Sequence, residues 1–322
     1  MKAFAVAAVS LVVLASTALA QSPVSPRSSD APQRIDIKAK TIDYFEPRDP
    51  SRRRFGALEF RGGLELTSSY KPFGGISGLR VYPDGAKFLA LTDRSRWLEG
   101  RIVYQGETPV GIADARMAPM LGPDGRALTA RGWYDTESMS EDAGNVYVGI
   151  ERANKIVKYE FARHGLLARG QPIPVPSSVD ALPYNRGLEC IAMIPKGMLG
   201  AGTLLAIAER ALDAAGNLKG ILIGGPKPGE ISILRGGEFD VSDCAVAPGG
   251  DLLMLERRFS WTSGVAIRLR RIALSTLMAG GVADGHVLFE ADLGYQIDNM
   301  EALSVHAAKD GTQVVTMMSD DN

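Results

Sequence analysis

Short apolar runs separated by Gly- and Pro-bearing turns dominate the chain. Lys87 to Thr92, Asn145 to Ile150, Thr203 to Ala208, Asp251 to Leu255 and Thr312 to Met318 have strand length. Most follow such a turn, as in Pro83-Asp84-Gly85, Gly144-Asn145, Pro248-Gly249-Gly250 and Asp310-Gly311. Third strands are expected at Arg101 to Gln105, Ile156 to Phe161, Gly220 to Ile223 and Val265 to Ile272. Fourth strands are expected near Pro172 to Val175, Glu230 to Leu234 and Val287 to Glu290. Leu274 to Ala279 reads as a short helical turn. No long helical pattern appears, and 36 glycines and 18 prolines suit a turn-rich all-β fold.

The apolar runs belong to a repeat. A polar or acidic residue, a small residue and an apolar residue open one strand, and a second strand ends in an acid. The copies run from Ser77-Gly78-Leu79 to Thr92-Asp93-Arg94, from Glu137-Ser138-Met139 to Glu151-Arg152, and from Glu189-Cys190-Ile191 to Glu209-Arg210. Two more run from Asp243-Cys244-Ala245 to Glu256-Arg257 and from Glu301-Ala302-Leu303 to Ser319-Asp320-Asp321-Asn322. Closing acids recur at about fifty to sixty residues, the order a propeller blade of four short strands requires. The expected fold is a single β-propeller of five blades, or six if the N-terminal strands form a blade of their own. The fifth repeat stops after its second strand. Arg34 to Phe45 and Phe55 to Thr67 precede the first repeat and are the expected source of a closing outer strand.

Lys2, the apolar stretch Phe4 to Leu14 and Ala18-Leu19-Ala20 before Gln21 read as a signal peptide over residues 1–20. Residues 21–32, rich in Ser and Pro, read as a disordered leader, which leaves 33–322 as one propeller domain. The expected location is the periplasm or outside the cell. No later stretch is apolar enough to span a bilayer, so stable membrane insertion is not expected. The net charge of −1 argues against a nucleic-acid partner. Cys190 and Cys244 stand at equivalent places in consecutive repeats. A secreted chain can oxidise them. Equivalent strands of adjacent blades usually lie too far apart for a disulfide, so each is expected to fill the slot of Gly78, Ser138 and Ala302 as a free thiol.

Rotational repetition turns scattered carboxylates into one constellation. Glu137, Glu189, Asp243 and Glu301 open innermost strands; Asp93, Glu151, Glu209, Glu256 and Asp320 close the next ones. Antiparallel neighbours put one strand's start beside the other's end, so both sets are expected at one mouth. So many like charges need compensation. One solution is a hard cation on oxygen ligands, with calcium the best match and Glu137, Glu189, Asp243, Glu301 and Asp320 the candidate ligands. Asp135 and Asn299, two residues before Glu137 and Glu301, and Asn185 add oxygen donors on the same side. The other solution is Arg94, Arg152, Arg210 and Arg257, each beside a closing acid. They either pair with carboxylates of the next blade, as a structural ring, or bind an anionic substrate.

Other catalytic motifs are missing. Gly74-Gly75-Ile76-Ser77-Gly78 has the wrong register for a nucleophile elbow, and neither a P-loop nor H-E-x-x-H occurs. Of three histidines, His286 and His306 fall on or beside strands as structural residues, and Arg163-His164-Gly165 reads as a turn.

Taken together, Gly74-Gly75-Ile76-Ser77-Gly78-Leu79, Thr92-Asp93-Arg94, Asn185-Arg186-Gly187-Leu188-Glu189, Glu209-Arg210, Leu255-Glu256-Arg257 and Ser319-Asp320-Asp321-Asn322 resemble the "esterase-like activity of phytase" family of secreted bacterial proteins. The resemblance covers about residues 55 to 322 and implies a phytase-like propeller that hydrolyses a phosphoric or other ester. It does not identify a catalytic acid. The expected function is a calcium-dependent phosphoric-ester hydrolase acting on a small-molecule ester. A non-catalytic binding or scaffold propeller and a lactonase-like carboxylic-ester hydrolase are the alternatives.

Overall fold

The computed structural model describes residues 31–262 and 264–320. The signal peptide and nearly all of the leader, like Asp321 and Asn322, lie outside them. The chain forms an all-β propeller arrangement with four complete sheets. In the first, Ile76–Val81, Lys87–Thr92, Arg96–Gln105 and Thr108–Pro119 pair antiparallel in succession. The second holds Thr136–Asp142, Asn145–Ile150, Lys155–Tyr159 and Gln171–Pro172. The third holds Leu188–Met193, Thr203–Leu212, Leu218–Gly224 and Gly229–Ile233, with Val282–Ala283 parallel at its outer edge. The fourth holds Asp240–Val246, Asp251–Ser260, Gly264–Ala273 and His286–Asp292. A hairpin of Met300–Ala307 and Gln313–Ser319 follows.

The inner strands are tied to one another around an axis. Thr136 Oγ1 donates to the Thr92 carbonyl (2.6 Å), and Ser138 Oγ to the Leu188 carbonyl (2.8 Å). The Leu303 amide donates to Asp243 Oδ2 (2.6 Å), and the Val81 amide to Ser304 Oγ (2.8 Å). The hairpin therefore sits between the fourth and first sheets. Apolar side chains fill the spaces between neighbouring sheets. Leu91, Trp97, Val148 and Tyr159 pack between the first and second, for example, and Ile207, Leu218, Met254 and Ile272 between the third and fourth. This is why the inner strands read as continuous apolar runs: each must present apolar residues to a neighbour on both sides.

The N-terminal strands do not close the ring as expected. Gln33–Arg34 joins the outer edge of the first sheet, Lys38–Ile42 pairs with Gly63–Thr67, and Arg54–Phe55 pairs with Leu58–Glu59. Among the described residues, none of these N-terminal strands pairs with Gln313–Ser319, whose partner is Met300–Ala307. The physical reason is aromatic burial. Phe45 sits 4.9 Å from Phe55, 5.5 Å from Phe289 and 5.3 Å from Tyr295, ring centre to ring centre, and this cluster holds the segment against the fourth sheet. Gly56 fits only without a side chain: its φ is +60°, and a Cβ would meet the Leu288 carbonyl oxygen at 2.2 Å.

The cysteines are also a correction. Cys190 and Cys244 form a disulfide, with Cα atoms 5.2 Å apart. Innermost strands converge near the axis, so neighbouring sheets come within the range a disulfide spans. The bond staples the third sheet to the fourth across a sequence separation of 54. Replacing both cysteines by alanine is expected to lower stability by ~2–4 kcal/mol. A urea midpoint unchanged from wild type would show that sheet packing alone holds this junction.

Candidate functional site

A bulge opens every inner strand. The pairing register shifts between Ile76 and Gly78, Thr136 and Ser138, Leu188 and Cys190, Val241 and Asp243, and Met300 and Ala302. The bulged residues are thus Ser77, Glu137, Glu189, Ser242 and Glu301. A bulge leaves its residue unpaired and re-aims its side chain. On the partner strand, the residue that follows the one facing the pre-bulge position is Asp93, Glu151, Glu209, Arg257 or Asp320. These two sets meet at one mouth.

At its centre Glu151, Glu189 and Glu209 each bring one carboxylate oxygen within 4.8 Å of the other two. Glu189 is half-buried, and its loss of solvent raises its pKa well above the ordinary value; the charges of Glu137, Glu151, Glu209 and Glu301 add to the rise. Glu137 is raised for the same first reason, then by Asp135. Burial lifts Glu151 to about 7, although the Gly187 amide donates to its Oε1 at 2.9 Å. Glu301 is also lifted to about 7 by burial, against the pull of Arg257. Asp93 is raised by burial and by Asp320. The sequence-predicted ligands Glu137, Glu189, Glu301 and Asp320 therefore share one electrostatic site, together with Asp93, Glu151 and Glu209. Every candidate donor is an oxygen, which fits a hard cation such as calcium.

Two predicted members are elsewhere. The fourth repeat is offset by one residue from the others: Val241 faces Glu256 and Asp243 faces Leu255, where Leu188 faces Ala208 and Cys190 faces Ile207. A one-residue slip turns side chains to the opposite face. Asp243 consequently takes the small-residue slot. It is buried between the fourth sheet and the hairpin and accepts from the Cys244 and Leu303 amides at 2.7 and 2.6 Å. Glu256 turns inward to Arg268 and Arg270. In their places the mouth receives Ser242 and Arg257.

The arginines are unequal. Arg257 Nη1 reaches Glu301 at 2.6 Å and bonds Asn299, and its Nη2 lies 3.7 Å from Glu209. Arg210 crosses to Asp240 of the next sheet, which Arg235 also holds at 2.8 Å. Arg152 meets Asp135 of its own sheet at 2.5 Å and Asn185 of the loop before the third sheet at 3.2 Å. Arg94 lies 3.9 Å from Asp93 and is largely exposed. The expected inter-sheet ring holds for Arg210 and Arg257. Sequence reasoning missed Tyr134 and Tyr184, whose rings lie 5.1 and 5.9 Å from the Arg152 guanidinium. A signal was available: Tyr134-Asp135 and Tyr184-Asn185 precede consecutive inner strands as matching Tyr–Asx pairs.

Among solved structures, the chain overlays one of U3-55K with a TM-score of 0.38 and 10% identity, covering 78% of this chain and 90% of that one. A chain of a mitotic checkpoint complex gives 0.39 and 9%, covering 97% and 96%. A protein of unknown function from Bacteroides caccae gives 0.32 and 13%, covering 74% and 63%. These overlays are loose and bear on neither chemistry nor partner. No curated protein matches the sequence. A family model does, over residues 71–322, the stretch that holds all five repeats and the acidic mouth: the chain belongs to the phytase-like family described as "Esterase-like activity of phytase".

Proposed function

We propose that the protein is a secreted, calcium-dependent hydrolase of phosphoric esters. The Glu151–Glu189–Glu209 cluster carries the reading: three carboxylate oxygens within 4.8 Å, two further acids electrostatically coupled to them, and burial that makes the uncompensated charges costly. Glu151, Glu189 and Glu209 would hold the cation, with Glu137 and Glu301 beside them and Asp320 nearer the rim. A bound calcium would activate water and offset phosphate charge. Around it, Arg152 would orient the substrate's anionic group, and Glu151 would give up its proton on holding the cation. The hairpin Met300–Ala307/Gln313–Ser319 is read as the inner half of a fifth blade in a single domain spanning 33–322. The Cys190–Cys244 disulfide supports an oxidising compartment, in agreement with the signal-peptide reading.

A second reading is a scaffold propeller, favoured by the Arg210–Asp240 and Arg257–Glu301 pairs, which join the second strand of one sheet to the inner strand of the next. One experiment separates them. Purified protein is assayed on a phosphomonoester, on phytate and on a lactone, each with calcium and with chelator. Calcium-dependent release of phosphate is the expected result. Lactone turnover alone would move the reading to a carboxylic-ester hydrolase, and no turnover in any arm would leave the scaffold.

A further inference from the structure

Arg152 differs from the other mouth arginines in how it is held. Its acid and amide partners, Asp135 Oδ2 and Asn185 Oδ1, both meet the single nitrogen Nε, at 2.5 and 3.2 Å. Its guanidinium lies against the rings of Tyr134 and Tyr184. Asp135 and Asn185 both adopt left-handed backbone, with φ of 64° and 59°. Asp and Asn tolerate this conformation, and each turn aims its side-chain oxygen at the guanidinium. Asn154 pins the second loop from below, its Nδ2 donating to the Leu182 carbonyl at 2.9 Å. Two loops from different sheets thus converge on one cation, next in sequence to Glu151 of the acid cluster. The clamp is nevertheless open to solvent. Tyr134 is 41% exposed and Tyr184 is 69% exposed. Burial of such rings is normally worth having, so their exposure beside a fixed guanidinium needs an explanation.

We propose that Arg152, clamped by Tyr134 and Tyr184, is the substrate's anion-binding arm, and that the tyrosine rings select a phosphomonoester whose leaving group is an aromatic or other flat ring. The inference rests on the hydrolase reading of the same mouth and names its substrate class. The geometry suits it. A guanidinium anchored through Nε keeps its two terminal nitrogens in a fork for phosphate oxygens. A flat ring attached to that phosphate falls beside the exposed tyrosine faces, where offset or edge stacking is available. Charge narrows the class further. The mouth carries Asp93, Glu137, Glu189, Glu209 and Glu301 around the site, and Arg257 and Arg210 are committed to carboxylates. A substrate with a single phosphate is tolerated there, whereas one with many phosphates meets repulsion from the acids.

The test uses phosphonates, which bind without being hydrolysed. Phenylphosphonate and methylphosphonate are titrated calorimetrically into the full protein in calcium, and again in chelator. Phenylphosphonate is expected to bind about tenfold more tightly than methylphosphonate, a gap the size of one aromatic contact. Tyr184→Ala should abolish that gap and Tyr184→Phe should retain it. Arg152→Gln should weaken both ligands at least about tenfold, as loss of a charge-assisted contact predicts, while melting curves report that each variant is folded. Equal affinity for the two phosphonates, binding of neither, or an unchanged gap in Tyr184→Ala overturns the proposal. Retained selectivity without turnover of phenyl phosphate instead overturns the hydrolase reading and leaves the anion clamp standing.

Discussion

Millimolar calcium is expected to raise the melting temperature of the protein substantially, and chelated protein is expected to lose stability as pH rises from about 4.5 to about 7. Both effects come from the same carboxylates. A ligand that binds only the folded state adds about 2.7 kcal/mol at a hundredfold excess over Kd, which is roughly 5–10 °C for a domain of this size. The pH window follows from Glu151 and Glu301, whose ordinary value of 4.5 rises to about 7 in the folded protein, chiefly through burial. Between those values the folded state binds more protons than the unfolded chain. Stability is then fully present below the unfolded pKa and is lost as pH climbs through the folded one. The slope is about 1.4 kcal/mol per pH unit for each such group. Calcium should flatten it, because bound metal replaces the protons. Glu189→Gln should behave in the opposite way to an ordinary site mutation. With chelator it should melt higher than wild type, since one buried like charge is gone, and calcium should no longer shift it. Melting curves of both proteins at pH 5 and pH 7 decide the matter. If calcium moves neither, the acids form a salt-bridge network and the cation reading is wrong.

The sequence carries the fold in its periodicity. Each inner strand needs a polar residue at its bulge and apolar residues against both neighbours, so the motif recurs wherever the geometry does. Hence Glu137, Glu189 and Glu301, with Glu151 and Glu209, were legible as one constellation before any coordinates. The fourth repeat was misread because Asp243-Cys244 looks like Glu189-Cys190 in composition, while its pairing lies one residue away, with Ser242 at the bulge. Only the ladder distinguishes the two registers. The disulfide was obscured by the same slip: Cys190 and Cys244 occupy inequivalent positions in their strands, and that offset accompanies their closeness across the junction. The N-terminal strands were legible as strands but not in their place, since the aromatic cluster of Phe45, Phe55, Phe289 and Tyr295 joins residues far apart in sequence. Tyr134 and Tyr184 escaped notice because their shared signal, a Tyr–Asx pair ahead of two consecutive inner strands, lies in turns outside the strand motif.

The one-residue slip has its largest expected consequence at Glu256. Its carboxylate is fully buried and forks to two arginines: Arg268 Nε and Nη2 at 2.8 and 3.0 Å, and Arg270 Nε and Nη2 at 2.7 and 2.8 Å. The assembly is satisfied at its edges as well. Arg270 Nη1 donates to the Leu234 carbonyl at 2.9 Å, and the Arg268 guanidinium lies 4.3 Å from the centre of the Phe239 ring. Glu256→Gln removes the one negative charge between two buried guanidiniums. An amide keeps a single acceptor oxygen where the carboxylate has two, and its NH₂ group faces donors. Breaking a buried pair from one side costs about 3–5 kcal/mol, because the remaining charge stays desolvated. Glu209→Gln, the same chemical change in the neighbouring sheet, relieves repulsion from buried acids and is expected to be neutral or stabilising in chelator. The urea midpoint of Glu256→Gln should therefore fall, while that of Glu209→Gln should hold or rise. Replacing Glu256, Arg268 and Arg270 together with Met should recover much of the loss, since apolar groups of similar volume leave no charge stranded. A Glu256→Gln midpoint within scatter of wild type would remove the energetic basis for separating this acid from those at the mouth.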